Sequence, residues 1–308
     1  MIKPQLVNSF THAALSPDPD LAIAALMIAR VEYPKLDAGP YLDRLDALGL
    51  EAKRRVASAI VSSSAPPGVD PDRYARVLAL NAYIFGELRF VGNEANYEDP
   101  RNSFLNEVLD RRTGIPITLS LIYMEVARRA DLYVEGINFP GRFLLRCPAR
   151  RGLPYSEDVI IDAFGGGKVL SREERRHLLQ PAPDTEEFGL DEDDGFFESR
   201  LFVHATKPQI LARMLRNLKG VYVRMCSFPQ ARDITELLLA VNPSATDELR
   251  DRGLLAYHLK DFSGALRDLQ AYLTLSAGAG RLDAEEREEH EKIWEHVKTL
   301  RRRVASLN

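Results

Sequence analysis

The sequence predicts an α+β domain with a helical N-terminal region, followed by an all-helical C-terminal domain. Three observations support this prediction. Caps and turn residues divide the first ninety or so residues into helices, an almost wholly apolar helix at 117–127 precedes short strand patterns, and a helical pattern repeats every 34 residues beyond residue 201. The predicted domains are residues 1–200 and residues 201–308.

Two acidic residues mark helix starts in the N-terminal half. Asp20 is predicted to cap a helix over 21–30, because its carboxylate can accept hydrogen bonds from first-turn amides. Asp99 precedes Pro100, whose fixed φ suits the first helical position. A second helix is therefore predicted from there to about Arg112.

The centre of the α+β domain is predicted at 117–127, because a helix that is apolar on most sides is enclosed by protein. Strand patterns then cover 134–139, 143–147 and 159–161. We expect the central helix to lie against the antiparallel sheet that these strands form.

An acidic segment separates the two predicted domains. Residues 181–198 contain eight acidic residues and no basic one, which predicts a solvated loop or linker. A calcium loop is the sharper alternative, but D-E-D-D-G lacks the spaced oxygen ligands of an EF-hand.

The C-terminal domain carries an internal repeat. The segment Phe228-Pro-Gln-Ala231 aligns with Phe262-Ser-Gly-Ala265 at a spacing of 34, the tetratricopeptide period. Gly253 and Ala265 then occupy positions where paired helices approach closely, whereas Lys219 stands where a small residue is expected. A last helix is predicted to cover the final repeat with an apolar stripe, formed by Ile293, Val297, Leu300, Val304 and Leu307.

The segment from Tyr97 to Gly167 carries a family resemblance. It reads Y-E-D-P-R-N-S-F-L-N-E-V-L-D-R-R-T-G-I-P, then the central helix, then F-P-G-R-F-L-L-R and V-I-I-D-A-F-G-G-G. It resembles the transglutaminase-like domain of the bacterial SirB regulator family, in which that domain precedes tetratricopeptide repeats. The resemblance extends from about Leu21 to about Leu275. It implies a papain-like core in which a Cys opens the buried helix, and a His and an Asp follow on strands.

Two of those three catalytic positions are altered here. The resemblance places Pro116 or Ile117 at the nucleophile position, Arg142 at the His position of F-P-G-H-F, and Asp162 at the Asp position. A guanidinium stays protonated and has no acceptor lone pair, so Arg142 cannot act as a general base. We expect an ion pair between Arg142 and Asp162 in a degenerate, non-catalytic site.

Other nucleophiles remain as alternatives outside the altered positions. Cys147 ends the strand that follows Arg142, and Thr118 and Ser120 lie in the first turns of the central helix. Their simpler interpretations are a strand-end residue for Cys147, and helix capping or core hydrogen bonding for the two hydroxyls. Cys226, among apolar neighbours, is interpreted as a small buried hydrophobe.

Polar residues and glycines near the altered triad are candidates for a pocket. Asn93 and Asn102, with Arg142 and Asp162, are the residues predicted to line it. Gly165–Gly167 is predicted to be a turn, with a role in the pocket wall as the second reading.

Composition narrows the functional classes. A net charge of −4 and a pI near 6.0 argue against a nucleic-acid-binding surface. The longest apolar run is too short for a membrane-spanning helix, which needs about 20 residues. The start lacks a secretory pattern, which predicts a cytoplasmic protein. None of the six histidines belongs to a metal-binding pattern, and no cofactor motif is recognised.

Three functional hypotheses follow. The first is a non-catalytic adaptor or regulator that binds a protein or peptide partner through its helical repeats. The second is a thiol or hydroxyl hydrolase or transferase acting on amide or peptide bonds, with Cys147 or Ser120 as the relocated nucleophile. The third is a sensor in which Arg142 binds a small carboxylate or phosphate ligand.

Overall fold

The computed structural model describes residues 2–61, 65–139, 141–149, 157–179, 202–278 and 284–305. Packing divides the chain into two compact units. The α+β unit comprises Asp18–Ala29 and Lys35–Met214, and the helical unit comprises Met1–Pro17, Arg30–Pro34 and Leu215–Asn308. The predicted acidic linker lies outside the described residues, and the domain boundary at residue 200 stays a prediction.

Helices account for most of the described chain. Their bounds are α1 (Pro4–Leu15), α2 (Ala22–Ala29), α3 (Gly39–Ala57), α4 (Pro71–Asn81), α5 (Leu105–Arg111), α6 (Pro116–Arg129), α7 (Arg172–Leu179), α8 (Lys207–Arg224), α9 (Phe228–Val241), α10 (Thr246–His258), α11 (Phe262–Gly278) and α12 (Ala284–Ala305). A π-helical segment (Ala82–Glu87) continues α4, and a 3-10 helix (Pro100–Ser103) precedes α5. In the described ranges, no helix is both long and apolar enough to cross a membrane.

The strands form two sheets in the α+β unit. A short parallel pair joins β1 (Val91–Gly92) to β2 (Thr113–Gly114). The four-stranded sheet is an antiparallel meander of β3 (Glu135–Ile137), β4 (Leu144–Cys147), β5 (Val159–Asp162) and β6 (Lys168–Val169). Leu145 lies opposite both Gly136 and Ile161, which fixes the register of β3, β4 and β5.

Helix α6 forms the centre of the α+β unit, as predicted. Every residue from Ile117 to Ala127 is buried, and the helix packs against β3 and β4. Burial of apolar side chains on nearly all faces stabilises this helix more than its intrinsic propensity does. The sheet and α6 together hold the candidate site.

The predicted helix from Asp99 to Arg112 is divided into two. The Asp99 side chain accepts a hydrogen bond from the Arg101 amide at 2.9 Å and opens the 3-10 helix. The backbone is then extended at Phe104, whose buried side chain packs in the core, before α5 begins. The cap was predicted, but the interruption was not.

The helical unit has the small-residue contacts that its repeat predicts. A Cβ on Gly253 would lie 2.7 Å from Leu269 side-chain atoms, so α10 and α11 approach closely there. Ala265 is fully buried in the same core as Ile293, Val297 and Leu300 of α12. The final helix therefore covers the repeat as expected, while Leu307 of the predicted stripe lies outside the described residues.

Lys219, the exception in the repeat pattern, takes part in an ion-pair network. Its Nζ lies 2.5 Å from a Glu248 carboxylate oxygen and 2.6 Å from one of Asp251. Glu248 is buried, so the ammonium compensates a charge that would otherwise be costly to bury. An inter-helix ion pair thus occupies the place of a close apolar contact.

The first residues of the chain belong to the helical unit. Helix α1 packs against α9, and the Ile2 amide donates to a carboxylate oxygen of Asp233 at 2.9 Å. The Tyr222 hydroxyl donates to Glu32 at 2.9 Å, which ties a second N-terminal segment to α8. Residues distant in sequence therefore complete this unit.

Candidate functional site

The N-terminus of α6 is closed by a hydroxyl cap. Thr118 Oγ1 donates to the Asn102 carbonyl at 2.7 Å and accepts from the Ile115 amide at 3.2 Å. Pro116 occupies the first helical turn. The helix start therefore presents a proline and a fully buried threonine that serves the cap.

Ser120 lies one turn further along α6. Its side chain is fully buried, and its hydroxyl oxygen has no hydrogen-bond partner among the described residues. A hydroxyl without a base beside it keeps a pKa far above neutrality, so Ser120 has no visible means of activation.

Arg142 and Asp162 face each other at the other side of the predicted triad. Arg142 Nη1 lies 3.8 Å from Asp162 Oδ2, and the arginine side chain is 55% exposed. The other carboxylate oxygen of Asp162 accepts from the amides of Phe164 and Gly165 at 3.0 and 3.1 Å. Asp162 therefore holds the turn after β5, and its pairing with Arg142 is loose and open to solvent.

The three glycines after β5 form a turn that borders a cleft. Asn81 Nδ2 donates to the Gly167 carbonyl at 2.5 Å, and the Tyr123 hydroxyl donates to Asn81 Oδ1 at 2.8 Å. Burial raises the pKa of Tyr123 well above its ordinary value, so the phenol remains a hydrogen-bond donor. Gly166 lines a cleft of about 420 Å³ together with Phe85, Gly92, Phe164 and neighbouring residues. The turn and pocket-wall interpretations thus describe the same segment.

The two predicted asparagines have different positions. Asn102 is fully buried, and its side-chain amide donates to the carbonyls of Asn96 and Tyr97 at 2.7 and 3.2 Å. Asn93 donates to Asn102 Oδ1 at 3.0 Å and lines a cleft of about 530 Å³. Asn102 therefore holds the loop at Asn96 and Tyr97 from its buried side, and Asn93 lies at the surface of the cleft.

The cysteines lie in contrasting environments. Cys147 is buried at the end of β4. His204 follows the sheet in the sequence, and its Nδ1 lies 3.3 Å from Glu135 Oε2. The interpretation of Cys226 as buried was wrong. Cys226 is exposed with φ of 56°, because α8 ends at Arg224 and its periodicity stops there.

Sequence reasoning missed one residue of the site, Arg213 on α8. Its Nη1 donates to the Phe139 carbonyl at 3.1 Å, and the Arg142 amide donates to the same oxygen at 3.1 Å. The guanidinium also lies 5.7 Å from the centroid of the Phe143 ring. No motif surrounds Arg213, so only the folded chain shows that it binds the same carbonyl as the Arg142 amide.

Comparison with known proteins places the two halves of the chain in families. A model described as the transglutaminase-like superfamily matches residues 40–216, and a tetratricopeptide repeat model matches residues 218–293. A UPF0162 protein of Xylella fastidiosa is 35% identical over 285 residues, covering 92% of this chain and 94% of the relative. Protein SirB1 of Salmonella typhimurium is 26% identical, covering 82% of this chain and 84% of the relative.

A eukaryotic protein is similar to part of the chain. F-box only protein 21 of Homo sapiens is 34% identical over 187 residues, covering 59% of this chain and 28% of that protein. The expected fold, an α+β transglutaminase-like core followed by a tetratricopeptide-like helical domain, is confirmed. The chain therefore belongs to the SirB-like family, in which a transglutaminase-like domain precedes tetratricopeptide repeats.

Proposed function

We propose that this protein is a non-catalytic adaptor or regulator. The order of a transglutaminase-like domain and tetratricopeptide repeats supports such a role, because tetratricopeptide repeats generally mediate protein–protein interaction. The proposed partner is a protein or peptide that binds the helical repeats. The transglutaminase-like domain would then serve as a folded body with an altered site.

The observation that carries this proposal is Arg142 facing Asp162 in place of an imidazole. Acyl transfer by a thiol enzyme needs a base that removes the proton of the nucleophile and later returns it to the leaving group. A guanidinium cannot do either near neutral pH. Pro116 at the helix start supplies no nucleophile, and Thr118 uses its hydroxyl in the cap.

Thiol labelling tests the absence of catalysis. In a Cys226→Ala protein, which lacks the exposed thiol, we expect iodoacetamide to label Cys147 slowly in the folded state and rapidly after unfolding. Burial disfavours the thiolate that reacts. Rapid labelling of folded Cys147 below pH 7, or covalent capture of Ser120 by a fluorophosphonate, would support the hydrolase or transferase alternative and contradict the proposal.

Affinity purification tests the adaptor role. Exposed apolar residues of the helical unit are replaced by glutamate in the full-length chain, using Val223, Met225, Leu275 and Trp294. Matched changes at Leu50 and Tyr133, exposed in the α+β unit, are the controls. We expect a protein recovered with the wild type to be lost with the first set alone. Recovery of the same proteins with every variant would contradict binding through the repeats.

A further inference from the structure

Arg213 is a half-buried cation whose hydrogen bonds, among the described residues, go to neutral groups. Its Nη1 donates to the Phe139 carbonyl at 3.1 Å and reaches Asn138 Oδ1 at 3.4 Å. Burial lowers the pKa of Arg213. No carboxylate lies within ion-pair distance of Arg213 in the part of the chain that the structure describes. A half-buried charge without a counter-ion is unfavourable, so this guanidinium is suited to receive an anion.

Arg252 shows how a similarly buried arginine is compensated elsewhere in the chain. Its guanidinium pairs with Asp268 at 2.6 Å and with Glu236 at 2.9 Å. The two carboxylates exceed the single positive charge. The neutral partners of Arg213 thus differ from those of Arg252, although the more deeply buried Arg73 also donates to two backbone carbonyls.

Arg213 and four residues near it form a group that we call the arginine cluster: Tyr97, Arg142, Asp162, Phe164 and Arg213. Arg142 pairs loosely with Asp162 at 3.8 Å, and Asp162 binds the Phe164 amide. The rings of Tyr97 and Phe164 meet edge to face with their centroids 6.0 Å apart. Arg213 is linked to Arg142 through the Phe139 carbonyl, which accepts from Arg213 Nη1 and from the Arg142 amide, each at 3.1 Å.

The charges of the arginine cluster favour a monoanion. The cluster contains two guanidinium groups and one carboxylate, and Asp162 already accepts two backbone amides with the oxygen that does not face Arg142. The five side chains therefore carry one uncompensated positive charge. A carboxylate neutralises that charge and matches the planar donor pairs of arginine, whereas a phosphate dianion would overcompensate it.

We propose that the arginine cluster binds a carboxylate attached to an apolar group. The carboxylate lies between Arg142 and Arg213, and the apolar group packs on the exposed part of Tyr97 and on Phe164. A free N-acyl amino acid and the C-terminal residue of a peptide share this chemistry. The site does not depend on the adaptor function proposed above, since it needs neither a repeat partner nor the absence of catalysis.

Calorimetric titration of the full-length chain tests the proposal. N-acetylphenylalanine and a short peptide ending in phenylalanine are compared with the same two compounds as C-terminal amides. We expect each acid to bind about tenfold or more tightly than its amide, because charge-assisted hydrogen bonds to two arginines are lost in the amide. Binding of the peptide alone identifies a chain terminus as the ligand, and binding of both identifies the carboxylate and its apolar group.

Single substitutions show which side chains contribute to the affinity for the acid. Arg142→Gln and Arg213→Gln are each expected to weaken the acid about tenfold or more, while Asp162→Asn leaves it equal or tighter because a competing carboxylate is removed. Arg44→Gln, which breaks an exposed pair between α3 and Asp110, is the matched control and should have no effect. Circular dichroism verifies that each variant folds. If Arg213→Gln does not fold, Arg213→Lys replaces it, because lysine keeps the charge and removes the planar pair of donors.

Three results would overturn the proposal. The first is equal affinity for acid and amide, and the second is unchanged binding with both Arg142→Gln and Arg213→Gln. The third is binding of inorganic phosphate without binding of N-acetylphenylalanine. None of these outcomes affects the labelling of Cys147, so the proposed function and the carboxylate site fail separately.

Discussion

Single residues decide the shape of the turn that follows β5. Gly167 has φ of +80°, and a Cβ there would lie 2.4 Å from a ring carbon of Phe85. Gly166 has φ of +73°, and a Cβ on it would meet no atom within 4 Å. Gly86 has open space without a positive φ. A comparison of Gly86, Gly166 and Gly167 therefore distinguishes the cost of a left-handed backbone from the cost of a steric clash.

We expect Gly167→Ala to lower the free energy of unfolding by about 2–4 kcal/mol, since it combines a left-handed backbone with a clash against the partly buried Phe85 ring. Gly166→Ala should cost only about 1 kcal/mol, the cost of the backbone conformation. Gly86→Ala should be neutral or slightly stabilising. Urea unfolding checks the series, and equal effects at Gly166 and Gly167 would show that Phe85 moves away without cost.

The Asp99 cap is expected to make stability depend on pH. The side-chain hydrogen bond from Arg101 lowers the pKa of Asp99, and the Arg101 amide bond and the charge of Arg111 act in the same direction. A depressed carboxyl pKa contributes stability that is present above the unfolded pKa of about 3.9 and is lost as pH falls through the folded pKa.

Asp99→Asn should therefore be less stable than the wild type by about 1 kcal/mol at pH 7, with the difference shrinking towards about pH 3. Asp72→Asn is the control, because Asp72 is 60% exposed and lies 3.9 Å from Arg76. Urea titrations at several pH values measure both differences. A gap between wild type and Asp99→Asn that stays constant with pH would contradict the linkage.

At the residue scale, the sequence allowed a prediction only where the signal was local. The positions of Arg142 and Asp162 followed from short motifs, and the structure places the two side chains 3.8 Å apart. Arg213 carries no local signal, because its role arises from a hydrogen bond to Phe139 that forms only after folding. The apolar neighbours of Cys226 misled, since they do not show that the helix ends just before it.

Among the elements, α6 shows how a buried helix accommodates charge. Glu125 is almost fully buried, accepts from the Leu21 amide at 2.8 Å and pairs with Arg128 at 2.9 Å and with Arg129. The Asp20 carboxylate, which caps α2 by accepting from the Ala22 amide at 2.8 Å, joins the same group through Arg128. The network attaches α2 to the C-terminal end of α6.

We expect Glu125→Ala to lower the free energy of unfolding by about 3–5 kcal/mol, because it leaves Arg129 and the Leu21 amide without their buried partner. Glu51→Ala removes a carboxylate that is 37% exposed and paired with Arg54 and Arg55, and should cost no more than about 1 kcal/mol. Chemical denaturation compares the two variants. Similar losses would show that burial does not set the worth of the Glu125 network.

The sequence predicted α6 as the buried centre, but it could not predict the role of Glu125. A single charge in an apolar helix indicates only that a partner is needed. The partners here are two residues on the next turn and an amide far along the chain. Strands β3, β4 and β5 and the final helix were predicted because periodicity is local, whereas the break at Phe104 depends on tertiary packing.

For the whole molecule, the main feature that the sequence did not predict is which segments of the chain make up the helical unit. The repeat spacing predicted the paired helices of the repeats, and a separate apolar stripe predicted α12. Nothing in that pattern indicated that Met1–Pro17 and Arg30–Pro34 belong to the same unit. Apolar periodicity shows which face of α1 is buried, but it does not identify the surface that buries it.

The contact of α1 with α9 predicts that one substitution near the N-terminus will loosen a helix more than two hundred residues away. Phe10 on α1 is fully buried, so Phe10→Ala should lower the free energy of unfolding of the helical unit by about 3–5 kcal/mol through lost burial and a cavity. Amide hydrogen exchange should then accelerate across Phe228–Val241, because opening free energies report local stability. Leu15→Ala changes a residue of the same helix that is 53% exposed. It should leave the opening free energy of Phe228–Val241 within about 0.5 kcal/mol of the wild-type value. Unchanged protection of Phe228–Val241 in Phe10→Ala would mean that α1 does not support the repeats.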